Sequence, residues 1–161
     1  MVVDDVPRLV TVWCPDWPVV AARVDAAQPA AVFRSNRVIA RSAAAVAAGV
    51  QQGERRRSAQ GACPELLVLD HDLDRDVRAF EPIVRTIADM APRLEVVEPG
   101  WICLAARGPS RYFGGDLAMA ERMVEIVEHA TGARPGVGVA DGRSASSIAA
   151  RRAARTPVSY T

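Results

Sequence analysis

Hydrophobic positions along this chain fall into two patterns: short continuous runs, and longer stretches where they recur every three or four residues. Arg8 to Cys14 reads RLVTVWC, a β-branched and aliphatic run with the composition of a buried strand. Pro15 stops it, Asp16 is placed to cap the next segment, and Trp17 to Ala27 is predicted as a helix with Pro18 in its first turn. Ala30 to Phe33 and Arg37 to Ala40, separated by Arg34-Ser35-Asn36, predict a hairpin. Ser42 then caps a small-residue helix that stops at Gly49, and Gly53 to Gln60 reads as a short basic helix closed by Gly61.

Pro64-Glu65 leads into the apolar run Leu66 to Leu69, read as a strand. Asp72 or Asp74 caps a long amphipathic helix in which Val77, Phe80, Val84, Ile87 and Met90 recur at helical spacing. Pro82 in its middle is expected to kink it or mark a boundary. Leu94 to Val97 and Ile102 to Ala105 are predicted strands joined by a Glu98-Pro99-Gly100 turn, a second hairpin. Arg107 to Gly115 reads as a loop. Asp116 caps a helix with Leu117, Ala120, Met123, Val124 and Val127 on one face, and Gly132 closes it. Val137 to Ala140 is a strand and Ser144 to Arg155 a final helix, after which Pro157 to Thr161 has the look of a cut end. The order β-α-ββ-α-α-β-α-ββ-α-β-α predicts an α+β fold with helices packed on a mixed sheet.

Composition narrows the setting. At 161 residues and 50% hydrophobic, the chain can bury one respectable core, or one domain with a small appended lobe. A net charge of +1 is far from the basic balance of a self-sufficient duplex-binding module. All 20 basic residues are Arg, so no step can use a lysine amine as phosphate ligand or Schiff base. Cys14, Cys63 and Cys103 are far apart, odd in number and outside any CxxC spacing. They read as buried small apolar residues in a reducing cytosol. The start, MVVDDVPRL, has no basic-then-apolar signal pattern, and Ser42 to Val50 is too short to span a membrane. A soluble cytoplasmic protein is expected.

Chemistry is sparse. Asp70, His71, Asp72, Asp74 and Asp76 supply ligand types for a divalent metal. A strand end followed by helix-capping acids accounts for them better, because adjacent residues rarely point at one ion. Gly136-Val137-Gly138 fits neither a dinucleotide fingerprint nor a phosphate loop, and reads as a glycine-tolerant strand. Ser42, Ser144 and Ser146 lack a nucleophile elbow, and His129 sits mid-helix. Arg55, Arg56 and Arg57, with Arg151, Arg152 and Arg155, are the basic clusters. Arg55, Arg56, Arg57, Arg151 and Arg152 are candidate phosphate or DNA contacts, although exposed helix faces carry such runs by default.

The order of motifs resembles the Y-family translesion DNA polymerases along the whole chain. Val12 to Val20 lies where that family has a strand with Asp-x-Asp followed by two aromatics. Arg41 to Val50 sits where it reads Ser-Tyr-Glu-Ala-Arg-x-x-Gly-Val. Ala59 to Leu66 matches A-x-x-x-C-P-x-L, and Gly138-Val139-Ala140 opens the equivalent of G-I-A-x-N-K-x-x-A-K. The resemblance implies a palm built from residues 1–27 and 71–161, with a small fingers subdomain at 28–70. Thumb, little finger and C-terminal tail would lie beyond Thr161.

The framework positions match; the chemical ones do not. By the resemblance, the first metal carboxylate falls on Trp13 and its acidic partner on Pro15. The catalytic Asp-Glu pair falls on Pro99-Gly100 or Gly100-Trp101. Asp16 is one residue out of phase along a strand, and Glu98 is the sole acid near the second hairpin. The triphosphate ligands fall on Ala43, Val46 and Ser147. A tryptophan side chain is expected to fill the corner between β-hairpins where the family holds its metals. No cofactor is implied.

Within the family the pattern is similar to the catalytically degenerate ImuB branch of actinobacterial type. Arg78 to Pro82, Pro99-Gly100-Trp101 and Ala106 to Gly115 carry that likeness. It implies a non-catalytic adaptor of a damage-induced mutasome, found with the nucleoid after damage. Its partners would be an error-prone C-family DNA polymerase, a RecA-like accessory protein and the sliding clamp, the clamp motif lying beyond Thr161. DNA would be held weakly or through the missing domains. Two alternatives stand beside it: a residual metal-dependent nucleotidyl transferase using Asp16, Glu98 and Asp70, and a plain DNA-binding module. Candidate docking surfaces are Asp116 to Thr131 and Arg107 to Gly115.

Overall fold

The computed structural model describes residues 6–155. In chain order its elements are β1 (Arg8–Trp13), α1 (Trp17–Ala21), β2 (Ala30–Arg34), β3 (Arg37–Arg41), α2 (Ala43–Ala47), α3 (Arg56–Ala62) and β4 (Leu67–Asp70). They continue with α4 (Leu73–Met90), β5 (Leu94–Glu98), β6 (Trp101–Ala105), α5 (Arg107–Phe113), α6 (Asp116–Thr131), β7 (Gly136–Asp141) and α7 (Arg143–Arg155). The expected α+β class holds. The expectations for residues 1–5 and for Pro157 to Thr161 lie outside the described residues. Among the described residues, no helix is long and apolar enough to cross a membrane.

Two units divide the chain: residues through Pro15 with those from Phe80 onward, and Asp16–Ala79. The second encloses the span expected as fingers and takes in α1 and the start of α4 as well. It is built on a three-stranded mixed sheet, β3-β2-β4. The β2–β3 hairpin closes through Ser35 and Asn36, both at positive φ, the geometry of a two-residue turn that matches strand twist. Ser42 caps α2 as predicted: its hydroxyl accepts from the Ala45 and Ala30 amides and donates to the Gln28 carbonyl. Ala31, Phe33, Val38, Ala45, Val50 and Cys63 form the buried cluster on this sheet.

The first unit carries a four-stranded sheet of order β5-β6-β1-β7, antiparallel throughout. Strand alternation sends Val10, Val12, Ile102, Leu104 and Val137 to one face, where all are buried. The other face meets α7 at close range. A Cβ on Gly136 would lie 1.9 Å from the Ala150 carbonyl oxygen, and one on Gly138 2.3 Å from the Ala150 nitrogen. These glycines are therefore required by backbone-to-helix contact, not merely tolerated in a strand. Thr11 beside Gly138 reaches the buried Ser146 hydroxyl at 2.9 Å, which fastens the helix to β1.

Several sequence expectations are corrected. The helix from Trp17 ends at Ala21, not Ala27, because Arg23 turns left-handed (φ 56°) and Asp25 bonds the Ala27 amide instead. The basic helix begins at Arg56 and closes at Cys63, since Gly53 (φ 78°) turns and extended Arg55 bridges to Arg37. α4 runs continuously through Pro82, which sits on the exposed side. Its buried row is Asp76, Phe80, Ile83 and Ile87, while Val77 is 49% exposed. In α6 Met119 and Ile126 are buried and Leu117 is not, and Gly115 holds the cap position assigned to Asp116. Arg107 to Gly115 is largely helix rather than loop.

The glycine contrast is testable by urea unfolding. Gly136→Ala is expected to lose about 2–3 kcal/mol, because backbone atoms rather than a flexible side chain must yield. Gly61→Ala, with nothing within 4 Å of its Cβ, should gain up to about 1 kcal/mol.

Candidate functional site

The hairpin between β5 and β6 turns on two residues, Pro99 and Gly100, with Glu98 facing Trp101. Gly100 has φ 93°, a conformation that favours glycine, and proline suits the preceding turn position. The Cys14 amide donates to the Gly100 carbonyl at 2.7 Å, tying the end of β1 to this turn. Trp13 consequently sits directly opposite Trp101 on one side and Gly136 on the other. Cross-strand partners project to the same face, so both indoles lie on the side covered by α7.

There they meet edge to face, with centroids 5.6 Å apart and planes at 80°. Because Gly136 has no side chain, α7 descends onto this row, and Arg151 extends over both rings. Its guanidinium carbon is 4.6 Å from the Trp13 centroid and 5.5 Å from that of Trp101. An edge-to-face pair contributes about 0.5–1.5 kcal/mol beyond burial, and a cation over an exposed ring about 0.5–1 kcal/mol. Among the described residues, the buried Trp101 indole nitrogen has no hydrogen-bond partner. The neighbouring Cys14 thiol is pushed up to about 12 by burial, which keeps it from acting as a thiolate nucleophile. Trp13 and Trp101 thus meet at the paired ends of β1 and β6. The cation stacked on them was expected only as a phosphate contact.

The remaining predicted positions spread widely. Pro15 is half-buried just past β1, and Ala43 and Val46 are exposed on α2. Ser147 lies on α7, its hydroxyl 3.5 Å from that of Thr11. Among the basic candidates, Arg56 stacks on Phe33 at 5.3 Å and reaches Asp70 at 3.5 Å, while Arg55, Arg57 and Arg152 are exposed.

The acids have structural duties. Asp16 lies beyond the strand at φ 52°, so the phase argument along β1 does not apply to it. Its carboxylate accepts from the Arg41 amide at 3.0 Å, and burial raises its pKa against that bond. It makes no side-chain cap to α1. Asp72 caps α4 by accepting from the Arg75 amide at 3.0 Å. Buried Asp76 is raised by desolvation and takes Arg75 at 3.2 Å and His71 at 3.5 Å. Among the described residues, no three His, Cys, Asp or Glu side chains are grouped to hold a metal ion.

The impB/mucB/samB (IMS) family pattern matches residues 18–151. Among solved structures, the chain is similar to a Dbh ternary complex with partially disordered substrates (TM-score 0.75, 16% identity, covering 90% of this chain and 45% of that one). It is also similar to DinB from Sulfolobus solfataricus (TM-score 0.71, 16% identity, 90% and 45%). An insertion ternary complex of Dbh DNA polymerase matches with TM-score 0.72 and 15% identity, over 95% of this chain and 47% of that one. No curated protein sequence matches. The chain spans less than half the length of the solved chains it matches. The architecture is that of the palm and fingers region of a Y-family DNA polymerase. The chain belongs to the impB/mucB/samB family.

A double-mutant cycle checks the stack. Arg151→Ala and Trp13→Leu, singly and together, should show a coupling of about 0.5–1 kcal/mol in urea unfolding. Strict additivity would mean that the guanidinium merely passes over the rings.

Proposed function

We propose that this chain is the palm-and-fingers part of a non-catalytic, ImuB-type member of its family. It acts as an adaptor in a damage-induced mutasome and supports error-prone translesion synthesis by a partner C-family polymerase. A RecA-like accessory protein and the sliding clamp complete the assembly, which gathers on the nucleoid after DNA damage.

The observation that carries this reading is the Trp13–Trp101–Arg151 stack. Two-metal nucleotidyl transfer needs carboxylates on adjacent strands to activate the primer hydroxyl and clamp the triphosphate. The positions that the resemblance gives to those carboxylates are Trp13, Pro15 and the Pro99-Gly100-Trp101 turn, and none offers an anionic oxygen. Arg151 adds a positive charge beside Trp13, the opposite of what a divalent cation requires. The residues present do not fit the metal pair. Asp16, the nearest acid along the chain, is engaged with the Arg41 amide.

Primer extension decides the matter. The purified full-length protein, with Mg²⁺ or Mn²⁺ and all four nucleotides on a primed template, is expected to add nothing. Extension that disappears in Asp16→Asn or Glu98→Gln would overturn the adaptor reading and reinstate a displaced metal site.

A further inference from the structure

The junction of α5 and α6 opens a surface recess of about 410 Å³, bordered by Arg8, Arg107, Ser110, Arg111, Gly115 and Asp116. Its own carboxylate is already saturated. Asp116 Oδ1 accepts from the Ser110 hydroxyl at 2.6 Å, and Oδ2 takes Arg8 Nε and Nη2 at 3.0 and 2.7 Å. The Ser110 bond and the Arg8 guanidinium hold the Asp116 pKa below the usual carboxylate range. The remaining Arg8 nitrogen turns to Asp141 at 3.3 Å. Arg8 is thus a structural clamp between two acids.

Arg107 and Arg111 are different. They stand one turn apart on α5, both exposed, and neither makes an ion pair among the described residues. Like charges at this spacing repel one another, and α5 carries no acid to offset them. Tyr112, the next residue, is 80% exposed with its ring held edge to face on Phe113 at 4.9 Å. The recess and two guanidinium forks that make no ion pair among the described residues therefore meet at one place, with the exposed Tyr112 ring next in the chain, outside the border of the recess.

We propose that this recess docks an acidic peptide segment of a partner protein. One carboxylate of the peptide lies between Arg107 and Arg111, whose planar forks suit bidentate carboxylate pairing. An adjacent apolar side chain packs on Tyr112. A discrete carboxylate fits better than a nucleic-acid strand, because Asp116 and Asp141 beside Arg8 repel a continuous line of phosphates. The inference deepens the adaptor reading and rests on it for the existence of a partner. The two fail separately: primer extension by the protein would sink the adaptor, whereas peptide binding decides this surface.

The test is fluorescence anisotropy of the chain with a short fluorescein-labelled peptide of alternating Glu and Leu containing one Phe. Binding should saturate and weaken about tenfold or more in Arg107→Glu/Arg111→Glu, with a smaller loss in Tyr112→Ser. Arg93→Glu, at an exposed arginine elsewhere on the same unit, should leave binding unchanged, with circular dichroism confirming that each variant is folded. Absence of saturable binding, or equal affinity across the variants, overturns the proposal. So does displacement of the peptide by a single-stranded oligonucleotide whose own binding depends on Arg107 and Arg111.

Discussion

Where α7 crosses β7, backbone lies against backbone. No side chain separates Gly136 and Gly138 from Ala150 and Ser146, and this contact governs much of the first unit. It brings the helix low enough for Ser146 to reach buried Thr11 at 2.9 Å. It also places Arg151, one residue past Ala150, within 4.6 Å of the Trp13 ring. Any side chain at Gly136 would lift α7 and separate the guanidinium from the indoles. The seating of Arg151 on the tryptophans is therefore a consequence of two glycine hydrogens where other residues carry carbon.

The same sheet could serve opposite electrostatic purposes. Adjacent strands that end side by side, joined by a tight Pro-Gly turn, bring two side chains together with little conformational freedom. Carboxylates in such a pair repel one another and call for cations. Indoles in the same pair attract a cation through their faces, and Arg151 supplies it from within the fold. The framework of β1, β6 and β7 needs no change for either arrangement. A fold of this kind can therefore be kept at 16% identity whatever side chains stand at its strand ends.

Legibility in the sequence followed the range of the interactions involved. Local rules carried the hairpins at Ser35-Asn36 and Pro99-Gly100, and the caps at Ser42 and Asp72, because turn and cap chemistry is complete within a few residues. The helix from Trp17 was overextended because no periodic rule reports that Arg23 turns left-handed and that Asp25 bonds the Ala27 amide. α5 was missed because Gly108 and Pro109 resemble loop punctuation, although proline is well placed near a helix start. The role of Arg151 was hidden for a deeper reason. Its partners are over 100 residues away at Trp13 and 50 at Trp101, and only the glycine-mediated approach of α7 unites them. A row of Gly136, Gly138 and an alanine-rich helix is the signal that could have exposed it.

Arginine is this chain's only strong base, and its placements divide by what each guanidinium finds. Arg56 and Arg151 lie on aromatic faces, and Arg8 is held between two carboxylates. Lysine could not reproduce these arrangements, because they use the flat, weakly hydrated face or the fork of the guanidinium. Such residues are part of the architecture, and counting them as a basic surface overstates what is available to a ligand. Among the described residues Arg107 and Arg111 have neither ring nor acid, and both are exposed. The discriminating quantity for recognition is thus not the number of arginines but the number left without an internal partner.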